Sequence, residues 1–297
     1  MPGFFAHALS ALLALLLTVS LLLSALTLTM TRLLTDQGLH EGIATDALVT
    51  QAQMDAITAR VEALAEAQSF QPETVTALIL PEELRAYNRA VVSWWMDLLL
   101  FSEADITAPV WDTQTIQAAV LEDPLFQEAH TPATRRTIVR DQVAFPVGKE
   151  IQRSVLPLRT QLIELATKAV RDRTDVSTYL ELFIRLPLWL GGVSVLLALM
   201  ILILMHRRLC KGGLYIGSAL AAAGLILLLA LLLTALADVP GMVRDLSMLL
   251  ALQVNLLLQA LAIPTAGMAA AGMLLGFGLI GQHQRRMSRL TARSEAA

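Results

Sequence analysis

The chain has one cysteine, Cys210, and two asparagines, Asn88 and Asn255. Neither asparagine opens an Asn-x-Ser/Thr sequon, and a single thiol excludes any disulfide within the chain. Five histidines, His7, His40, His130, His206 and His283, are scattered from one end to the other with no His-x-x-x-His or Glu-x-x-His pair. That spacing offers no metal site. Neighbouring carboxylates such as Glu82-Glu83 and Glu122-Asp123 point to different sides of a helix and read as first-turn charges. Gly217-Ser218 lacks the flanking glycines of a nucleophile elbow, and no glycine-rich phosphate loop exists. The sequence therefore offers no catalytic residue, no cofactor site and no metal ligand set, and predicts a protein that is not an enzyme.

Charge is missing over long stretches. Leu186 to Met205 is 20 residues without a charge, and Gly212 to Ala237 is 26. Each is long enough for the roughly 20 residues that cross a hydrocarbon core about 30 Å thick. Arg207, Arg208 and Lys211 lie between them, and the preference of short basic loops for the inner side predicts a cytoplasmic turn at 206–212. Phe4 to Thr31 is also uncharged and has no basic residue ahead of it, which predicts an uncleaved first membrane helix at 4–31. Its Ser20, Ser24, Thr27 and Thr31 recur at helical spacing, and a polar stripe of this kind packs against another helix. No Asp, Glu, Lys or Arg falls inside these runs, whereas ion-coupled transporters usually keep one there.

What is present fits this frame. Hydrophobic residues make up 56% of the chain, and the mean hydropathy of +0.62 is above that of ordinary soluble proteins. Residues 31 to 185 hold 22 acidic and 14 basic side chains, so the large polar block is acidic while the short pieces around it are basic. An acidic block has no clustered basic face for phosphates, which excludes a nucleic-acid partner. A polar domain without disulfide or glycan acceptor, set outside the membrane, points to a bacterial cell membrane rather than a eukaryotic secretory route.

The block at 32–185 is helical by pattern. Met54, Ile57, Val61 and Leu64 step by three and four along a helix predicted over Thr45 to Gln68, with Gly38 and Gly42 breaking the exit from the membrane. Pro72 and Pro81 stand at first helical positions. The helix after Pro81 carries Leu84, Tyr87, Val91, Trp94, Leu98 and Phe101 on one face and is predicted to be central, with Trp94-Trp95 in its core. Asp112, Asp123 and Thr131 open three more helices, the last two with a following proline. A break is predicted at Phe145 to Gly148, then a helix from Ile151 to Ala169 kinked at Pro157, then a polar break at Asp172 to Asp175. No period-2 run marks a strand.

Beyond the hairpin, residues 213–237 form the third membrane helix and 238–245 an outer loop with Pro240-Gly241. Leu246 to Gln282 is uncharged for 37 residues, or about 55 Å of helix, too long for one crossing. Because Arg285, Arg286, Arg289 and Arg293 follow, the charge rule predicts at 246–282 an outer extension plus one crossing kinked near Pro264, and a basic cytoplasmic tail at 283–297. The predicted class is thus all-α: a polytopic membrane protein with four transmembrane helices and a large helical extracytoplasmic domain between the first and second.

Two sets of residues stand out. Gly213, Gly217 and Ala221 on the third membrane helix, and Gly272 and Gly276 on the fourth, form small faces that let helix backbones approach. Ser247, Ala251, Asn255 and Gln259 recur every four residues as a polar or small stripe on an otherwise apolar helix. With the inner boundary near Gln282, Gln259 lies about 35 Å up the axis, at the outer edge of the hydrocarbon. The stripe is a candidate for coupling the outer domain to the membrane helices. The expected partners are membrane lipid and a further protein. One membrane helix, a large outer domain and three more helices is also the order found in permease subunits that work with a separate ATPase, an analogy of topology in which the inner loop here is too short for an evident coupling element. A binding or sensing protein is the first expectation and a permease subunit the second.

Overall fold

A computed structural model describes residues 2–100, 107–155, 176–205, 209–244 and 247–295. Among them the chain is helical throughout, with no strand. Four helices are long and apolar enough to cross a membrane, over Phe4–Thr35, Ile184–Leu204, Lys211–Met242 and Met248–Arg289. The chain is a multi-pass membrane protein. It divides into a membrane unit (Met1–Leu34, Thr178–Asp238, Leu258–Ala297) and a second helical unit (Thr35–Ser177, Val239–Leu257).

The membrane unit contains α1 (Pro2–Thr35), α10 (Val176–Leu204), α11 (Leu209–Leu236) and most of α13 (Met248–Glu295). Leu13, Ala14 and Leu17 of α1 pack with Ile201 of α10 and Ala219 of α11. The two serines of the α1 hydroxyl stripe meet α10, whereas Thr27 bonds within its own helix: Ser20 Oγ donates to the Leu190 carbonyl at 3.1 Å and accepts from Ser194 Oγ at 3.0 Å, while Ser24 Oγ donates to the Pro187 carbonyl at 3.4 Å. In lipid such donors have no water to turn to, so they are satisfied by the neighbouring helix. Helix α11 begins at Leu209, so Lys211 and Gly212, expected in the turn, are helical. A Cβ on Gly212 would touch Leu202 Cδ2 at 3.3 Å and Met205 Cβ at 3.4 Å, which is how closely the hairpin folds back. Arg207 and Arg208 lie outside the described residues.

The second unit starts with α2 (Gln37–Ala44) and α3 (Ala47–Gln68). Gly38 and Gly42 do not break the chain here; they lie inside α2, and the interruption falls at Asp36, whose carboxylate accepts from Leu39 N–H at 3.0 Å. A capping carboxylate satisfies an orphan N–H and sets the start of a helix more firmly than a glycine within it can end one. Asp46 caps α3 in the same way, and Ser69 closes it in the left-handed conformation with φ of 58°. Then follow α4 (Pro72–Thr76), α5 (Pro81–Leu100), α6 (Gln114–Glu122), α7 (Pro124–Ala129) and α8 (Pro132–Ile138).

No break occurs at Phe145 to Gly148. A π-helical segment, Val139–Ala144, leads directly into α9 (Phe145–Val155), with Val139, Val143, Ala144 and Val147 all buried. Pro146 is only the second residue of α9, and the widened turn before it shifts the backbone pairing where its missing N–H would count. The expected kink at Pro157 and the polar break at Asp172 to Asp175 lie outside the described residues.

Helix α5 serves two cores. Its Leu84, Tyr87 and Val91 join Ile57, Val61, Ile116, Phe126, Val143 and Ile151 in the main cluster, whereas Val92, Trp94, Trp95 and Met96 pack with Ala44 in a second. Beyond the membrane hairpin, the region expected to be a loop around Pro240-Gly241 forms the short α12 (Val239–Arg244), with Pro240 in its first turn where a missing N–H costs nothing. Helix α13 then runs without interruption through Pro264 and through the basic tail to Glu295.

Candidate functional site

The most connected polar feature is a buried line of amides in the second unit. Asn88 on α5 is fully buried, and its Nδ2 donates to the Ala44 carbonyl at the end of α2 and to Gln53 Oε1 on α3, both at 2.7 Å. Gln53, also fully buried, passes the line on: its Nε2 donates to the Ser154 carbonyl at 2.9 Å. The next carbonyl, that of Val155, accepts from Gln253 Nε2 of α13 at 3.1 Å. Five helices, α2, α3, α5, α9 and α13, are joined, the Ser154 and Val155 carbonyls of α9 being taken up by side chains from α3 and α13. Buried polar groups are retained where each has a partner. Within this line Asn88 Oδ1 is buried and accepts no hydrogen bond from the described residues.

A second buried polar group is Asp123. Its Oδ1 accepts from Leu125 N–H at 2.9 Å and Phe126 N–H at 3.2 Å, capping α7, and its Oδ2 accepts from Gln71 N–H at 3.0 Å and Thr74 Oγ1 at 2.8 Å. Burial pushes the carboxyl up, but the hydrogen bonds led by Gln71 N–H outweigh it and hold Asp123 below the usual aspartate range. Its two oxygens accept from three backbone N–H groups of two segments and from the Thr74 hydroxyl, so this carboxylate ties those segments together.

The small residues of the membrane helices divide into two kinds. A Cβ on Gly217 would stand 2.8 Å from the Gly276 carbonyl oxygen, and one on Gly276 would stand 2.6 Å from Ala221 N and from Gly217 O. A Cβ on Gly272 would stand 3.1 Å from the Leu220 carbonyl oxygen, and one on Gly224, three residues beyond Ala221, 2.6 Å from the Ala269 carbonyl oxygen. Gly213 has nothing within 4 Å and opens onto space. Helices α11 and α13 thus meet backbone to backbone along Gly217, Ala221 and Gly224 against Ala269, Gly272 and Gly276, where a side chain is excluded by contact distance.

Of the stripe on α13, Ser247, Ala251 and Asn255 belong to the second unit and Gln259 to the membrane unit. Ser247 Oγ accepts from Leu250 N–H at 3.4 Å at the helix start, and Ala251 is buried. The side chain that reaches α9 is Gln253, two residues off that stripe. Sequence reasoning passed over Gln53, Asn88 and Gln253. The first two carried a readable signal, since Gln53 lies four residues before Ile57 and Asn88 four after Leu84, each a polar residue on an apolar face. Near the start of α1, His7 Nδ1 lies 3.2 Å from Tyr215 Oη. Among the described residues no three His, Cys, Asp or Glu side chains gather as metal ligands. The chain matches no protein-family model, no curated protein and no solved structure.

Proposed function

We propose that this chain is a non-enzymatic protein of a bacterial cell membrane whose helical domain, on the outer side, binds or senses a ligand or a protein partner and passes the event to the membrane helices. In this reading both termini and Cys210 are cytoplasmic and residues from about 32 to 185 are extracytoplasmic, as the basic turn and basic tail favour. The observation that carries it is helix α13. Its residues up to Leu257 belong to the second unit, where Gln253 donates to the Val155 carbonyl of α9, and the same helix continues into the membrane unit as an apolar span. A shift of α9 on binding would pass through that hydrogen bond to α13 and then along the helix, because a continuous helix transmits displacement along its axis where a loop would absorb it.

Amide hydrogen exchange on the reconstituted full chain tests this. Gln253→Leu, which removes the donor to Val155, is expected to raise exchange in α13 well beyond the substitution, over residues 258–275. Unchanged exchange there, with local loosening confined to 248–256, refutes coupling through α13.

A further inference from the structure

Helix α13 leaves the hydrophobic span carrying four arginines, and their register is one-sided. At 3.6 residues per turn, positions 285, 289, 293 and 286 fall at about 0°, 40°, 80° and 100° around the axis, a single arc. The tail's one acid, Glu295, falls at about 280°, off that arc. On the same scale Gly272, Gly276 and Ala269, which meet α11, lie between about 140° and 200°. Arg285 and Arg289 are therefore on the face turned away from α11, and Arg286 lies at its edge. The arc continues the exposed apolar face of the span, where Gly267 and Gly278 have nothing within 4 Å and Leu275 is 62% exposed. In the span that face has hydrocarbon against it, so one turn further on the same face meets the headgroup layer.

We infer that Arg285, Arg286 and Arg289 form a binding surface for anionic phospholipid headgroups. All three are exposed. Side chains on a helix lean toward its N-terminus, which for α13 is the membrane side, so arginines placed after the span reach back toward the phosphates. Guanidinium groups match phosphate oxygens with paired donors. Clusters of this size directly after a membrane helix attract anionic lipid, each basic residue strengthening the attraction by about fivefold. An acidic protein surface is the competing occupant, but it would more naturally use a face pointing away from lipid than one continuing the lipid-facing side. The inference holds whichever side of the membrane the tail occupies.

The test is lipid selection by the full chain. Purified in mild detergent micelles containing equal phosphatidylglycerol and phosphatidylcholine, the protein is expected to retain phosphatidylglycerol several-fold over phosphatidylcholine. Arg285→Gln with Arg286→Gln and Arg289→Gln should reduce that preference at least threefold, while the three Arg→Lys changes keep most of it. Arg286→Gln combined with Met287→Arg preserves charge and depth but moves one cation to about 200°, and should lose preference like the single Arg286→Gln. Comparison is made on variants that elute as the parent does, and the lysine variant guards against a folding defect. No preference in the parent, or equal preference in parent and glutamine variant, overturns the inference. So does a parent that shows no lipid preference yet binds a polyglutamate probe through these arginines, which assigns the face to an acidic protein.

Discussion

Asn88 and Gln53 face each other across two helices, Asn88 Nδ2 donating to Gln53 Oε1 at 2.7 Å with both side chains shut off from solvent. Each then spends a donor on a backbone carbonyl of a third or fourth helix, Ala44 or Ser154. This pair sits on what periodicity marks as apolar faces, so its worth lies in fixing which helices meet. Asn88→Ala removes both donors and leaves the Ala44 carbonyl and Gln53 Oε1 buried without partners. At about 1 to 3 kcal/mol for a stranded buried group, the domain should lose about 2 kcal/mol or more. Urea unfolding of the reconstituted chain followed by tryptophan fluorescence measures it, and a loss under 0.5 kcal/mol would show that the line is incidental.

The α11–α13 contact tolerates no side chain at Gly276. Gly276→Ala places a methyl 2.6 Å from two backbone atoms of α11, which cannot move as a side-chain tip can. Overpacking of this kind costs about 1 to 3 kcal/mol and should lower the thermal midpoint in detergent, with Gly217→Leu more severe. Gly278→Ala, which meets nothing within 4 Å, is the matched control and should melt with the parent. Equal midpoints for Gly276→Ala and Gly278→Ala would contradict the contact.

Asp123 predicts an acid limit. Its carboxyl lies below the ordinary aspartate value in the folded chain, so the unfolded chain binds the proton more readily. The stability it contributes is present above an unfolded pKa of about 3.9 and is lost as pH falls through the depressed folded value. Asp123→Asn keeps part of the cap but removes the charge, and the difference in unfolding free energy between parent and variant should be constant above about pH 5 and shrink below about pH 4. A difference that grows on acidification would reverse the sign and rule out this carboxylate as the cause.

Orientation is tested by thiol access. With Cys210 inside, a membrane-impermeant maleimide applied to intact cells should leave the parent unlabelled and label Gln114→Cys; after permeabilisation both should react. Labelling of Cys210 alone in intact cells would invert the topology.

The helices and their ends come from local signals, and the sequence alone carries them. Apolar steps of three and four, the carboxylates of Asp46 and Asp123 and the prolines at 72, 81, 124 and 132 act within a turn or two of where they stand, so no distant residue is needed to read them. Apolar runs long enough for a bilayer are equally local. Where two local signals compete the reading fails, as at Gly38 and Gly42, overridden by Asp36, and at Phe145 to Gly148, bridged by the π-helical turn. Tertiary structure decides what spacing leaves open. Gly213 and Gly217 stand four apart on one face, yet only Gly217 has a backbone against it, because the approach of α13 depends on where that helix crosses α11. Likewise the partners of Gln53 and Gln253 lie 101 and 98 residues away in the chain. A side-chain amide finds such a carbonyl only after the cores of α3, α5 and α9 have packed, and nothing within a few residues of either glutamine encodes which carbonyl that is.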